Sequence, residues 1–508
     1  MKQAALTNAI VLDAPIQVNT KELCKNNCLI FLAGLLGPLG FAPFHLPGFT
    51  ILSIAILFSG LLNSNVKQGF FLGLSFGLGY FGFGVSWVII SIHDYGQLNY
   101  FFAGVITLLF ISYLSLFPAL VAAAFNLLKI KQRHFLAMGS FSALWCLSEC
   151  IRSNLMTGFP WLLVGTTQID TPLRSLAPII GIYGLSFCCT FAAALLALTV
   201  RECSFKRYYY LVAFVVLLLF PSVFKNMQWT DVKKQPITVG AIQANLSMRD
   251  KWDETLFWNL LNYYEKATDK LLGKQLIILP ESAIPLPARY LNDYLSNLDN
   301  KALKAKSALM LGILQPTDDN EVNYYNSIIT LGQASGQQVK RQLVPFGEYI
   351  PKPFVAINRW FHLPEPNILP GAQKQPLIKI LNHPIASLIC YEIAYPYWLR
   401  QQLPDAQWIV SISDNGWFGR SLASYQQLQI SQMLSLLTGR YQIVVNNDGL
   451  SSVINANGDI VEALPSFSAG LLQSAVFPAV GATPWVIWYD YPILVFCLVF
   501  LIFVRLFR

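Results

Sequence analysis

Charge is what this chain has least of. Only 12% of its 508 residues are Asp, Glu, Lys or Arg, against 54% hydrophobic and 14% aromatic, and so apolar a composition excludes an ordinary soluble globule. Histidine is scarce too: five in all, with His362 and His383 the two in residues 225–484. That scarcity excludes the common zinc patterns, and no Cys and His cluster replaces them, so neither metal nor cofactor is expected. Basic clusters are also missing from 225–484, where 21 Lys and Arg meet 20 Asp and Glu. Nucleic-acid binding is therefore not expected. No internal repeat or low-complexity linker interrupts the sequence.

What the chain has is long apolar runs. Seven fill the first half, about 28–44, 49–64, 68–92, 99–128, 135–151, 176–200 and 208–224, and an eighth lies at about 485–504. Most approach or exceed the roughly 20 residues a helix needs to cross a bilayer, with the second and fifth marginal. Trp485, Trp488, Tyr489 and Tyr491 are expected to form an interfacial aromatic belt on the last span, with Asp490 near headgroups. Met1 to Asn27 is polar, and no cleavable signal peptide is expected. Lys2, Lys21, Lys25, Lys67, Lys129, Lys131, Arg133, Arg201, Lys206, Arg207, Arg505 and Arg508 sort to one side of eight alternating spans, with Arg152 and Arg174 opposite. The positive-inside rule then puts both termini in the cytoplasm. The expected division is a cytoplasmic tail (1–27), a membrane domain of seven transmembrane helices (28–224), an external domain (225–484), and an eighth transmembrane helix with a cytoplasmic end (485–508).

In the external part, strand-like runs (Ile237 to Ala244, Gln275 to Leu279, Ala308 to Leu314, Ser327 to Leu331, Ile385 to Cys390, Trp408 to Ile412, Gln442 to Asn446) are separated in several places by helix-like segments (Trp252 to Leu272, Ala288 to Ala305, Tyr425 to Leu437). This order predicts a layered α/β domain, and the weak alternation predicts strands buried on both faces. A long Pro- and aromatic-rich segment, Tyr349 to Gln373, reads as a lid or binding loop whose Phe354, Trp360, Phe361 and Leu363 can dip into a bilayer or cover a site, or as an ordinary packed surface loop.

Of nine cysteines, Cys390 stands alone well outside the apolar runs. Without a disulfide partner it is most simply a small buried hydrophobe; its company argues otherwise. Glu281 follows one predicted strand, Lys340 precedes a Pro-rich turn, and Cys390 ends its own strand. In layered α/β proteins ligands collect outside the carboxyl ends of strands, so the three can converge. A thiol is mostly protonated at pH 7 and needs a base or a nearby cation to act as nucleophile. Glu281 suits the base, provided desolvation raises its pKa toward that of a thiol. Lys340 suits stabilisation of a thiolate or tetrahedral oxyanion. His383, seven residues before Cys390 in the same segment, does not suit a cysteine-protease pairing. Singly, each signal is weak: Pro-Glu is common, and a lone Lys is usually solvated.

Order and company are more specific. Leu279-Pro-Glu281-Ser-Ala-Ile-Pro285, Leu343-Val-Pro-Phe-Gly-Glu348-Tyr-Ile-Pro351, Ile389-Cys-Tyr391-Glu392, Asp414-Asn-Gly-Trp417-Phe418-Gly419 and Asn446-Asn-Asp-Gly449 resemble the nitrilase (carbon-nitrogen hydrolase) superfamily. Nearly the whole chain, including Phe41-Ala-Pro-Phe44, Ser86-Trp87, Gly158-Phe-Pro-Trp161 and Gln168-Ile-Asp170, resembles its membrane-anchored branch, the apolipoprotein N-acyltransferase family. The resemblance implies a polytopic α-helical membrane domain carrying a periplasmic αββα sandwich in a bacterial inner membrane. It implies an N-acyltransferase that takes an acyl chain from a phospholipid donor as a thioester and passes it to the α-amine of a diacylglyceryl apolipoprotein, by a ping-pong route. Glu281 would be the general base, Lys340 the oxyanion stabiliser and Cys390 the nucleophile. Glu348, Glu392, Tyr391 and Trp252 match supporting positions, and Trp417 and Phe418 join Trp360 and Phe361 as substrate or lid candidates. A monomer is expected. Where the family often reads Asn-Asp this chain reads Asp414-Asn415, and Gln427, Leu434 and Leu437 stand where the family often has His, Arg and Glu.

A membrane-tethered amidase using water as acyl acceptor is the alternative, although eight helices would then be unnecessary; a transporter or scaffold that has lost catalysis is a third reading. Glu149 and Arg152, three apart on one helix face, are either a functional pair or a structural one. Cys146, Cys150, Cys188 and Cys189 read as packing, and Cys24 and Cys28 as reduced cytoplasmic thiols.

Overall fold

The computed structural model describes residues 20–96, 98–318, 322–355 and 366–507. The apolar runs become helices α1 (Thr20–Leu36), α2 (Pro47–Leu62), α3 (Val66–Gly84), α4 (Val88–Asp94), α5 (Tyr100–Leu127), α6 (His134–Asn154), α7 (Ala177–Arg201) and α8 (Lys206–Leu219). By length and composition, Tyr100–Leu127, His134–Thr157, Pro172–Arg201 and Lys206–Phe224 can each cross a bilayer, and α3 with α4 forms a further candidate span bent by 59°. The protein is therefore a membrane protein. The fifth run, marginal as a stretch of apolar residues, qualifies because its helix extends beyond it; the second yields only the 16 residues of α2, about 24 Å of helix. Helices α3 and α5 approach backbone to backbone. A Cβ on Gly73 would lie 2.4 Å from the Pro118 carbonyl oxygen, so a small residue is what this contact requires.

Among the described residues, 231–480 carry two large sheets and one two-stranded pair. The strands are β1 (Asp231–Val232), β2 (Ile237–Gln243), β3 (Leu276–Ile278), β4 (Ala308–Pro316), β5 (Tyr324–Gly332), β6 (Ala334–Ser335), β7 (Gln338–Val339), β8 (Ile378–Ile380), β9 (His383–Ile389), β10 (Ile409–Ser413), β11 (Gln442–Asn446), β12 (Ser452–Ile454), β13 (Ile460–Ala463), β14 (Gly470–Val476) and β15 (Ala479–Val480); the first large sheet has the order β14-β2-β3-β4-β5-β7, the second β13-β12-β11-β10-β9-β8-β6, and β1 pairs with β15. Strands β2, β3 and β4 run parallel, as do β9, β10 and β11. Val239, Ile278 and Met310 of one sheet meet Ile389, Val410 and Ile443 of the other in a shared core, which explains the continuous apolar reading of these strands. Outside the first sheet lie α10 (Phe257–Leu271) and α11 (Asn292–Lys304), preceded by the short α9 (Met248–Lys251); outside the second lie the short α12 (Pro396–Arg400) and the longer α13 (Leu422–Thr438). The layers are α, β, β, α.

Helix α13 is enclosed on all sides, fourteen of its seventeen residues being buried. Its far face meets the membrane helices: Gln426 Oε1 accepts from Trp87 Nε1 (3.2 Å) and Trp161 Nε1 (2.7 Å), its Nε2 donates to the Gly84 carbonyl (3.0 Å), and Gln429 Oε1 accepts from the Ala42 amide (3.1 Å). The chain returns through α14 (Pro484–Trp488) to α15 (Tyr491–Phe507). One expectation is corrected there. Trp485 does not belong to an exposed belt; it and Asp490 are both buried, and Trp485 Nε1 donates to Asp490 Oδ1 at 3.0 Å, the partner that a buried polar side chain needs.

Candidate active site

Glu281, Lys340 and Cys390 come together at the carboxyl ends of their strands. Glu281 follows β3 on a sharp turn, and Gly312 of β4 lets it approach: a Cβ there would stand 2.6 Å from Glu281 Cα. Lys340 follows β7, and its Nζ reaches Glu281 Oε1 at 3.0 Å and Glu348 Oε1 at 2.8 Å. Cys390 ends β9 with φ +52°, a left-handed conformation that costs a non-glycine residue roughly 1–2 kcal/mol. Relative exposures of 5%, 1% and 5% for Glu281, Lys340 and Cys390 put the cluster out of bulk water. His383 lies at the opposite end of β9, bonded to Gln407 at 2.7 Å.

Asn326, missed in the sequence, and Asp414, read there only as part of a motif, complete the cluster. Asn326 of β5 donates from one amide to both Glu281 Oε1 (2.7 Å) and Glu348 Oε1 (3.2 Å); an Asn inside a buried strand was the available signal, since strands disfavour it. Asp414 donates its amide to Glu281 Oε2 at 3.0 Å. Glu348 Oε2 in turn accepts from the Val344 amide at 2.8 Å.

Burial alone would raise the Glu281 carboxyl, but the Lys340 charge, Asn326 and Lys251 outweigh it and hold it below the ordinary glutamate value. Burial works against the Lys340 ammonium as well, yet the Glu281 and Glu348 carboxylates keep its pKa well above the usual lysine value. The Cys390 thiol is pushed well up by burial and by the Glu281 charge, with Lys340 opposing. The resting cluster is thus an ionised Glu–Lys pair facing a neutral thiol. This reverses the expectation of a base raised by desolvation, because the buried carboxylate never lacks a cation.

Glu392 is fully buried and ties two strand ends. Its Oε1 accepts from the Arg341 amide (2.6 Å), the Gln342 amide (3.3 Å) and Arg341 Nε (3.4 Å), and its Oε2 from the Ile389 amide (2.9 Å). The residues bonded are the neighbours of Lys340 and Cys390. Tyr391 and Tyr395 join this turn to the membrane domain: Tyr395 Oη donates to the Gly158 carbonyl at 2.9 Å and pairs with Tyr391 Oη at 3.0 Å. Arg152 Nη1 holds the same loop, donating to the Phe159 (2.8 Å) and Trp161 (2.6 Å) carbonyls. Trp417 packs against Tyr95 and Phe418 against Trp87, ring centroids 4.5 and 4.9 Å apart. Trp252 is about half exposed; its neighbour Lys251 is the buried one, with Nζ on the Glu281 carbonyl at 3.2 Å. Trp360, Phe361 and Leu363 lie outside the described residues.

An αββα sandwich with buried Glu, Lys and Cys at its strand ends, set on apolar helices, defines a membrane-anchored protein of the carbon-nitrogen hydrolase class. Residues 238–483 match the carbon-nitrogen hydrolase family, and residues 33–195 match the apolipoprotein N-acyltransferase N-terminal domain. The apolipoprotein N-acyltransferase of Coxiella burnetii is 35% identical over 94% of this chain and 99% of its own, and that of Azotobacter vinelandii 36% identical over 93% of each. The chain belongs to the apolipoprotein N-acyltransferase family. Among solved structures, a carbon-nitrogen hydrolase from Helicobacter pylori G27 aligns over 51% of this chain and 94% of its own at 16% identity (TM-score 0.36), and Saccharomyces cerevisiae Nit3 over 48% and 91% at 18% identity (TM-score 0.36).

Proposed function

We propose that this protein transfers a fatty acyl chain from a phospholipid to the N-terminal amine of a diacylglyceryl-cysteine lipoprotein, through a thioester on Cys390. The observation that carries the reading is the convergence of Glu281, Lys340 and Cys390 in one desolvated cluster whose nucleophile turn is bonded to the membrane domain. A water-using amidase has no need of that bond; a lipid-using transferase does.

With the proton resting on sulfur, attack and proton transfer run together. Sγ bonds to the ester carbonyl carbon while Glu281 takes the thiol proton, and the Lys340 ammonium faces the oxyanion, a contribution worth about 10²–10³ in rate for such a donor. Collapse breaks the C–O bond, Glu281 returns the proton to the departing lysophospholipid oxygen, and the thioester remains. The lipoprotein amine then attacks the thioester, Glu281 accepts its proton, and Sγ leaves and is reprotonated. The amide is the product, and the two half-reactions give ping-pong kinetics.

The arrangement we propose keeps residues 1–27 cytoplasmic, 28–224 and 485–508 in the inner membrane with both termini inside, and 225–484 periplasmic, in line with the distribution of basic residues. Trp360 and Phe361 remain proposed lid residues. The test is acyl-labelled phosphatidylethanolamine mixed with purified enzyme: wild type retains a label that neutral hydroxylamine removes, and Cys390→Ala retains none. Label on Cys390→Ala would refute the mechanism. Adding diacylated lipopeptide should yield the triacylated product; release of free fatty acid alone would favour an amidase-like hydrolase.

A further inference from the structure

Lys251 and Asp414 form an ion pair, Nζ to Oδ2 2.5 Å, with each side chain 2% exposed. Desolvation makes such a pair costly to keep, and its remaining bonds converge on one residue. Lys251 Nζ donates to the Glu281 carbonyl oxygen at 3.2 Å, and the Asp414 amide donates to Glu281 Oε2 at 3.0 Å. Asp414 Oδ1 accepts from Gly416 N (3.1 Å) and Asn447 Nδ2 (3.2 Å), and Asn447 Nδ2 also donates to the Leu246 carbonyl (2.8 Å). The pair therefore ties together the loops after β2, β10 and β11 around the residue that follows β3. Glu281 is gripped at its main chain and at its outer carboxylate oxygen, which leaves Oε1 to Lys340 and Asn326.

Resting on the acyl-transfer reading of Glu281, we propose that Lys251 and Asp414 are positioning residues for the reaction: together they aim the base at the thiol, and Lys251 supplies a second cation behind it whose charge Asp414 compensates. The groups facing the base are Lys340 at the end of β7, Glu348 in the loop beyond, Cys390 at the end of β9, Lys251 in α9 and Asp414 at the end of β10, with Asp448 after β11 behind Asp414. Lys251 is one of the charges that hold Glu281 low.

A merely structural pair would lower activity at every pH alike. A positioning pair that also sets the field at the base moves the acidic limb of thioester formation, and the two partners move it in opposite directions. Lys251→Met removes the cation, so Glu281 ionises at higher pH and the limb shifts up. Asp414→Asn keeps the size of the side chain and the amide on Oε2 but leaves the Lys251 ammonium uncompensated, so the limb shifts down. Each displacement should be at least about one pH unit, the lower bound for a unit charge acting on a buried carboxylate through protein rather than bulk water. Maximal loading rates should fall by up to about 100-fold in Lys251→Met as the base loses its aim, with KM for phospholipid unchanged, and Lys251→Arg should return the limb to its wild-type position.

The measurement is quench-flow thioester formation by the full chain in detergent, from pH 3 to 8, a range that spans the acidic limb of a base held below the ordinary glutamate value, with labelled phosphatidylethanolamine and gel filtration of every variant at each end of the range. Opposed shifts support the inference; limbs that stay in place, or shift together, overturn it. Should Lys251→Met fail to fold, the contrast between Asp414→Asn, shifted down, and Lys251→Arg, unshifted, decides the matter alone. Wild type that forms no thioester would sink the acyl-transfer reading and this inference with it, whereas wild type that loads normally beside unshifted variants would sink only the inference.

Discussion

Replacing Glu392 by Gln keeps its shape and turns one carboxylate oxygen into a donor. If the new NH₂ faces β9, the Ile389 amide loses its acceptor; if it faces the other way, the Arg341 and Gln342 amides do. At least one buried N–H is left unpaired in either orientation, at about 1–3 kcal/mol. The substitution also strips the counter-ion from the Arg341 guanidinium, 3.4 Å away, with both side chains at or below 2% exposure, and breaking a buried pair costs about 3–5 kcal/mol. The two effects share atoms and overlap, so we expect a loss of about 3–5 kcal/mol from a total that for most domains is only ~5–15 kcal/mol. The assay has two arms: thermal unfolding in detergent, and thioester formation below the transition. Because the bonds of Glu392 hold the residues next to Lys340 and Cys390, the folded fraction should load lipid about 100-fold more slowly, the scale of an ångström's misplacement at a reacting centre. A Glu392→Gln protein with wild-type melting and wild-type loading would refute the claim that this carboxylate sets the distance between the two strand ends.

Two further expectations concern the loop and the thiol. Arg152→Gln removes two bonds from a charged donor to the Phe159 and Trp161 carbonyls, each worth about 1.5–3 kcal/mol; the loop that receives Tyr395 should loosen and loading should fall about tenfold or more, 1.4 kcal/mol being a factor of ten, while loading at the wild-type rate would detach that loop from the site. For Cys390, burial and the Glu281 charge hold the thiol well above its ordinary value of 9.0, so iodoacetamide should alkylate it slowly at pH 7 and the rate should keep climbing past pH 9; Lys340→Met, which removes the opposing cation, should be slower still at each pH, and a plateau below pH 9 would refute the raised thiol.

The fold and the centre of the site were legible to different degrees for physical reasons. Apolar runs and strands without alternation are direct imprints of desolvation, so apolar helices and a layered α/β domain could be read from the pattern, while the αββα sandwich followed from the family resemblance. Glu281, Lys340 and Cys390 were legible because each ends a strand inside a distinctive string of neighbours. Asn326 and Lys251 were not. A Lys in Met248-Arg-Asp-Lys251-Trp-Asp reads as solvated, and only the turn after β2 folding back over β3 buries it beside Asp414, 163 positions away. Protonation was misread for a related reason: burial was counted against the carboxylate, but the fold brings Lys340 and Asn326 to the same oxygen. The burial of Asp490 was missed because the indole that receives it lies on the preceding short helix, invisible to a count of apolar residues.

The departures at Gln427, Leu434 and Leu437 take their meaning from the layer they occupy. Gln427 Nε2 reaches Ser413 Oγ at 3.2 Å, one residue before Asp414, while Leu434 and Leu437 are fully buried in the same apolar cluster as Leu185, Cys189 and Trp485. Helix α13 is thus the fourth layer of the sandwich and, on its other side, a packing surface for the membrane helices. In a domain ending at that layer its outer face would be wetted and polar; here Gln426 Oε1 accepts from Trp87 and Trp161, and Gln429 Oε1 from the Ala42 amide. Buried polar groups with fixed partners specify one orientation more strongly than apolar contact does. Tyr395, next to the nucleophile turn, bonds separately to the Gly158 carbonyl, so the catalytic domain meets the apolar helices through two sets of hydrogen bonds, one from α13 and one from this turn. The domain cannot swing away from the apolar helices as a unit without breaking both sets, so their hydrogen bonds hold Cys390 in one position relative to those helices.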